Sequence, residues 1–166
     1  LEIWIDGYNL IRQVDQFACQ ERRAGLEAGR TALIRALAGY KTETGHQIVL
    51  VFDGDDGIQG PDVIQKEGIR LVFSKPPLSA DDVIVAHLKR RHGKKSLLVV
   101  TSDREILREA KRHKISAMKS DDFSTELRSP KLGGSNSTTA SEEETEFGDT
   151  AYWENIFEQE KGMFEE

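Results

Sequence analysis

Short apolar runs alternate with longer amphipathic stretches along this chain. Glu2 to Asp6 (EIWID) is a strand-sized run closed by a D-G turn, and Gln47 to Phe52 (QIVLVF) is a second that stops at Asp53. Ile69 to Phe73 (IRLVF), Ser96 to Val100 (SLLVV) and the shorter Ile115 to Met118 complete the strand-like set. Between the first two runs, Leu26, Leu33, Ile34, Leu37 and Tyr40 recur at three- and four-residue spacing, which predicts an amphipathic helix within Glu21 to a stop at Gly45. Ser79 to His92 reads as a helix that turns Val83, Ile84, Ala86, His87 and Leu88 inward; Arg104 to His113 and Asp121 to Leu127 read as two more. Strands that are apolar on both faces, separated by helices, predict a three-layer α/β/α fold around a central parallel five-stranded sheet. Ligands of such sheets bind outside the carboxyl ends of the strands, so chemistry is sought there.

Three of those ends carry an aspartate: Asp6, Asp53 and, after Thr101 and Ser102, Asp103. Asp81 opens the helix that follows Ser79, and helix N-termini share the rim with strand carboxyl ends. Carboxylates gathered on one rim repel, so they either take up protons or hold a cation. Short-stemmed oxygen ligands on rigid strand ends suit hard Mg²⁺ or Mn²⁺, which can polarise a phosphodiester and activate water. Each aspartate also has a plain structural reading. Asp6-Gly7 and Asp53-Gly54 are turn dipeptides, Asp82 suits a cap at Ser79, and Ser102 with Glu105 reads as a capping box that leaves Asp103 an ordinary first-turn acid. Asp55 and Asp56 read as loop residues. Joint placement on one rim favours the chemical reading.

Composition changes this picture only at the end of the chain. Of 166 residues, 37% are hydrophobic and 31% charged, as in a globular protein. Residues 132–166 hold ten acids and one base, a net −9, whereas residues 1–131 hold 22 bases and 19 acids, a net +3. A domain over 1–130 and an acidic Ser/Thr/Glu-rich linker and tail over 131–166 are therefore expected, with a short helix at Ala151 to Phe157. Such a tail, mimicking a phosphate backbone, is expected to compete for a nucleic-acid groove. Cys19 is the sole cysteine, which excludes an internal disulfide. With no signal-peptide pattern and no apolar run near ~20 residues, a cytoplasmic protein without a membrane partner is expected. Oligomeric state has no signature in the sequence.

The aspartates sit in motifs that belong together: Asp6-Gly7-Tyr8-Asn9, Val51-Phe52-Asp53, Val72-Phe73-Ser74, Ser79-Ala80-Asp81-Asp82 and Val100-Thr101-Ser102-Asp103. In order and spacing, from about residue 1 to 128, the chain resembles the YacP-like branch of NYN-domain ribonucleases, within the PIN-like nuclease superfamily. That resemblance implies a PIN-like (Rossmannoid) fold and dependence on Mg²⁺ or Mn²⁺. It also implies endonucleolytic cleavage of RNA, single-stranded or messenger, in association with ribosomes. It assigns metal binding and catalysis to Asp6, Asp53, Asp81 and Asp103, a further metal-binding candidate to Asp82, and support to Asn9 and Ser102. The acidic tail has no counterpart in the resemblance.

For substrate contacts, Arg104 stands next to Asp103, while Arg12, Arg22 and Arg23 are expected in the loop after DGYN, facing the rim. Tyr8 is a candidate for stacking on a base. The cluster Lys89 to Lys95 falls at the far end of its helix and is read as solvated. His46, His87, His92 and His113 share no metal spacing, which argues against histidine acid–base cleavage. Two competing readings remain at this level. One is a haloacid-dehalogenase-like phosphatase with Asp53 as nucleophile and Asp55 as acid/base. The other is a non-catalytic PIN-like module that binds RNA or protein. No P-loop or GxGxxG pattern is present.

Overall fold

The computed structural model describes residues 1–54 and 62–132. Asp55, Asp56, the acidic linker beyond Leu132 and the Ala151 to Phe157 segment lie outside the described residues. Within them run β1 (Glu2–Asp6), α1 (Gly7–Gln13), α2 (Asp15–Ala24), α3 (Leu26–Thr44), β2 (Gln47–Phe52), β3 (Asp62–Lys66) and β4 (Ile69–Phe73). They continue with α4 (Ala80–Arg90), β5 (Leu97–Val100), α5 (Arg104–Arg112), β6 (Ser116–Met118) and α6 (Ser120–Arg128). None of the described helices is long and apolar enough to cross a membrane.

The sheet has six strands, in the order β3-β4-β2-β1-β5-β6, so the expectation of five falls one short. All neighbours pair parallel except β3, which lies antiparallel on β4 at the edge. β3 and β4 form a hairpin through Glu67 (φ 52°) and Gly68 (φ 77°). Two successive positive-φ residues make the tight turn whose twist matches a hairpin. An edge strand needs no continuous apolar run, and Val63 and Ile64 of β3 stay largely open to solvent.

Strand side chains alternate between two cores, which places helices on both faces. Ile3, Ile5, Leu50, Phe52 and Leu71 join Leu10, Phe17, Leu33, Leu37 and Phe123 from α1, α2, α3 and α6. On the opposite face Trp4, Val49, Val51, Val72 and Val99 meet Val83, Ile84, Leu88 and Ile106 from α4 and α5. Burying such side chains contributes roughly 1.5–3 kcal/mol each, and this is the dominant force holding the layers together.

The helix expected within Glu21 to Gly45 is two helices. Gly25, at φ 90° and ψ 175°, breaks the backbone between α2 and α3, leaving Leu26 exposed. Gly45 does end α3 as expected, in a left-handed cap at φ 74°. Another correction concerns the chain after Asp6, where α1 starts directly at Gly7 without an intervening loop. Arg12 therefore lies on α1, and Arg22 and Arg23 on α2.

Candidate active site

β1 is flanked by β2 on one side and β5 on the other, and the strand order reverses there. The carboxyl ends of these three strands share a rim with the N-termini of α4 and α5. Asp6 ends β1 and Gly7 opens α1. Only glycine fits at that junction, since a Cβ on Gly7 would stand 2.3 Å from Cε1 of the buried Phe52 ring. Gly54 is held to glycine likewise, because a Cβ there would meet the Ser74 carbonyl oxygen at 2.0 Å.

Asp6 is buried, with 7% of its surface exposed. Thr101 Oγ1 donates to Asp6 Oδ2 at 3.2 Å, and the same hydroxyl oxygen accepts the Asp103 N–H at 3.0 Å. One threonine thus ties the end of β1 to the start of α5. Asp53 lies exposed just past β2, and its Oδ1 accepts the Ala80 N–H at 2.8 Å, which anchors it to the N-terminus of α4. Asp81 follows in the first turn of α4, exposed. Asp82 serves the cap through one oxygen: its Oδ2 accepts from Ser79 N at 2.8 Å and Ser79 Oγ at 3.0 Å, and its own N–H returns to Ser79 Oγ.

The cap of α5 differs from expectation. Asp103, not Ser102, is the N-cap, and its Oδ1 accepts from the Glu105 and Ile106 N–H groups at 2.9 and 3.1 Å. Ser102 instead accepts the Ser120 N–H on Oγ. Asn9 braces the same corner: its Oδ1 accepts the Ser102 N–H at 2.8 Å and the Ser120 hydroxyl at 2.7 Å. Asn9 and Ser102 therefore position the loop that carries Asp103, by joining α1, the β5–α5 loop and α6.

The electrostatics link the acids. Burial pushes the Asp6 carboxyl up to about 6, helped by the charges of Asp81 and Asp53, while the Thr101 hydroxyl and the Asn9 N–H pull it back. Asp81 is also raised, through desolvation and the charges of Asp103, Asp53, Asp82 and Glu105. Asp6, Asp53, Asp81 and Asp103 thus lie within reach of one another's fields on a single rim. Among the described residues, no three His, Cys, Asp or Glu side chains stand close enough together to hold a metal ion between them. The donor set is all oxygen and open to solvent at Asp53 and Asp81. Such an arrangement fits a hard cation held by one or two carboxylates with water in its remaining positions.

Of the cationic residues expected here, Arg104 is exposed at the first position of α5, beside Asp103. Arg12 lies over the Tyr8 ring, 5.5 Å from its centroid. Arg22 and Arg23 are exposed on the last turn of α2, and no contact among the described residues joins them to the carboxylates. A groove of about 320 Å³ leads off the rim between α4 and α5, lined in part by Asp81, Asp82, Glu105 and Arg108. A larger one, about 630 Å³, lies among α2, α3 and α6 and holds none of the four aspartates. Sequence reasoning overlooked Thr101 and Ser120. Thr101 sits inside the V-T-S-D motif, where two neighbouring carboxylates could have pointed to it. Ser120 is marked by nothing in the sequence.

No match is found among curated proteins. Among solved structures, the chain is similar to YacP (Rae1) from Bacillus subtilis. A tryptophan-to-leucine mutant of that protein aligns at a TM-score of 0.64 and 21% identity, over 76% of this chain and 74% of that one. A second crystal structure of the same protein aligns at 0.61 and 21%, over 77% and 74%. A family model described as the YacP-like NYN domain matches residues 3–163, past the end of the described residues. With nearly its whole length inside that match, the chain belongs to the YacP-like NYN domain family.

Proposed function

We propose that this protein is a PIN-like, Mg²⁺- or Mn²⁺-dependent endoribonuclease that hydrolyses phosphodiester bonds of single-stranded or messenger RNA in the cytoplasm. Association with ribosomes belongs to the same proposal. The observation that carries it is the rim of four aspartates whose charges oppose one another, with buried Asp6 raised to about 6. A site built only for stability has no reason to hold a buried carboxylate against two like charges.

In this reading one or two of Asp6, Asp53, Asp81 and Asp103 bind the cation directly and the others act on its bound water, while Asp82 serves the cap through Oδ2. Asp103 keeps Oδ2 available, because its capping bonds use Oδ1. Asp53 likewise spends Oδ1 on Ala80. Thr101 orients the Asp6 carboxylate, and Asn9 and Ser102 hold the Asp103 loop in register. When bound, the cation supplies charge neutralisation for the phosphate and a more acidic water. Arg104 stands at the edge of the site, placed for a phosphate oxygen of the substrate backbone.

The test is incubation of structured and unstructured RNA with the protein in Mg²⁺, Mn²⁺ or chelator. Cleavage is expected with either metal and not in chelator, and Asp6→Asn or Asp103→Asn is expected to abolish it while the protein stays folded. Cleavage that persists in chelator overturns the metal-dependent reading. A phosphoaspartate trapped at Asp53 replaces it with phosphatase chemistry.

A further inference from the structure

Beside the carboxylates, on the α3 face of the rim, four side chains pack together, with Phe52 buried beneath the half-buried Tyr8, Arg30 and Phe73. Phe52 and Phe73 are paired across β2 and β4 and stack at 5.8 Å with 26° between their planes. Tyr8 tilts against Phe52 at 4.9 Å. Arg30, from the second turn of α3, lays its guanidinium 5.9 Å from the Phe52 centroid and 5.8 Å from that of Phe73. Its Nη1 approaches the Tyr8 hydroxyl at 3.5 Å. The residues following Phe52 and Tyr8 in sequence are Asp53 and Asn9, so this surface adjoins the acidic rim directly.

The charge on Arg30 needs an explanation. The residue is only partly exposed, yet among the described residues no carboxylate lies within 4.0 Å of it. A guanidinium has five N–H donors, and a 3.5 Å approach to a phenol occupies one of them weakly. Aromatic faces hold the cation in place through their quadrupoles without neutralising it. The result is a pre-oriented fork, presented with its charge unspent next to a site proposed to cut a polyanion. Such a fork matches two phosphate oxygens, and Arg on this kind of support loses little entropy when it binds them.

We infer that Arg30 is a substrate-binding residue, which takes a backbone phosphate of single-stranded RNA adjacent to the bond being cut. This rests on the nuclease reading above and adds the direction in which the strand leaves the acidic rim: across the Tyr8–Arg30 surface, over the α3 face.

The full-length protein in chelator permits binding to be read without cleavage. Fluorescence anisotropy with a labelled single-stranded RNA, repeated across a salt series, gives affinity and its salt slope. Arg30→Gln is expected to weaken binding roughly tenfold at low salt and to reduce the slope by about 0.7, the loss of one phosphate contact to a single strand. Arg30→Lys is expected to restore the slope but only part of the affinity, because the charge returns without the fork. Arg35→Gln, an exposed cation on the same helix, is expected to change neither. A merely structural role for Arg30 would lower the melting temperature and leave the slope untouched. Wild-type slope and affinity in Arg30→Gln, with wild-type protein that binds and cuts RNA, overturn the inference alone. Wild-type protein that neither binds nor cuts RNA overturns the nuclease reading and the inference together. If Arg30→Gln does not fold, Arg30→Lys decides: wild-type affinity there overturns the fork, and a partial loss at unchanged slope supports it.

Discussion

Thr101, fully buried, donates its hydroxyl across 3.2 Å to Asp6, of which 7% is exposed. A buried carboxylate needs such donors to stay charged, and this one works against the desolvation and like charges that push Asp6 up to about 6. Removing the donor in Thr101→Val lets the proton hold on more tightly. A proton and a divalent cation compete for the same oxygens, so the metal requirement reports the change. In the wild type, the Mn²⁺ concentration for half-maximal cleavage is expected to climb as pH falls below about 6. In Thr101→Val that climb is expected to begin at higher pH. An unchanged midpoint across pH 5 to 8 refutes a role for Thr101 in setting Asp6.

The same shift makes a claim about stability. Asp6 has a folded value above the 3.8 of an ordinary aspartate, so its contribution to stability is fully present below pH 3.8. It is lost as pH rises through about 6, where the folded protein must carry the buried charge. At pH 7 and without divalent cations, the ionised carboxylate costs the fold about 2–3 kcal/mol by linkage. Asp6→Asn removes that charge and is expected to raise the melting temperature by several degrees in chelator, while cleavage disappears. Equal melting temperatures of the two proteins at pH 7.5 in chelator count against a strained Asp6. Added Mn²⁺ is expected to stabilise the wild type and not the variant.

How far the sequence went toward this site follows from what each residue answers to. The aspartates were legible because they sit at the ends of apolar runs, and the chain direction in a parallel sheet brings those ends to one edge. Asn9 was legible only through its motif, as the Ser102 and Ser120 groups it bridges are 93 and 111 residues away. Arg30 left no trace, since an arginine on an amphipathic helix is ordinary until Phe52 and Phe73 are seen beneath it. Local signals misled where tertiary demands prevailed. The Ser102–Glu105 spacing looked like a cap, but the backbone turns one residue later and Asp103 takes the role. β3 escaped because an edge strand is allowed to be polar, and only its partner β4 defines it.

The fit between Gly7 and Phe52 makes a sharper demand than the D-G motif alone suggests. A Cβ on residue 7 collides with the Phe52 ring, at 2.3 to 2.8 Å from three of its atoms. That ring is fully buried and flanked by Tyr8 and Phe73, so it has nowhere to go. Gly7→Ala is expected to cost about 1–3 kcal/mol or more through overpacking. It is also expected to displace Asp6 and Tyr8 together, reducing cleavage even at temperatures where the variant remains folded. Wild-type melting and wild-type cleavage in Gly7→Ala would show that the junction tolerates a side chain.

At the other end of β1, Glu2 anchors a separate network, and its pH dependence runs opposite to that of Asp6. Its Oε1 accepts the Trp4 indole N–H at 2.6 Å and lies 3.5 Å from His87 Nε2, while Oε2 lies 3.6 Å from Lys94 Nζ. Trp4 and His87 stack at 3.7 Å, both fully buried. Burial raises the Glu2 carboxyl, but hydrogen bonds from His87 and Trp4 and the charges of His87 and Lys94 outweigh it and bring it down to about 2. Burial also lowers the imidazole of His87, so at neutral pH His87 meets Glu2 as a neutral ring. The ionic share from His87 is then missing, and full linkage, about 3 kcal/mol, is an upper bound on what Glu2 contributes. That contribution is present above the 4.5 of an ordinary glutamate and is lost as pH falls through about 2. Chemical denaturation between pH 6 and 2 is the measurement. The stability of the wild type is expected to fall more steeply below pH 4.5 than that of Glu2→Gln, which has no proton to take up at this position. Parallel curves for the two proteins would place the acid sensitivity of the fold elsewhere.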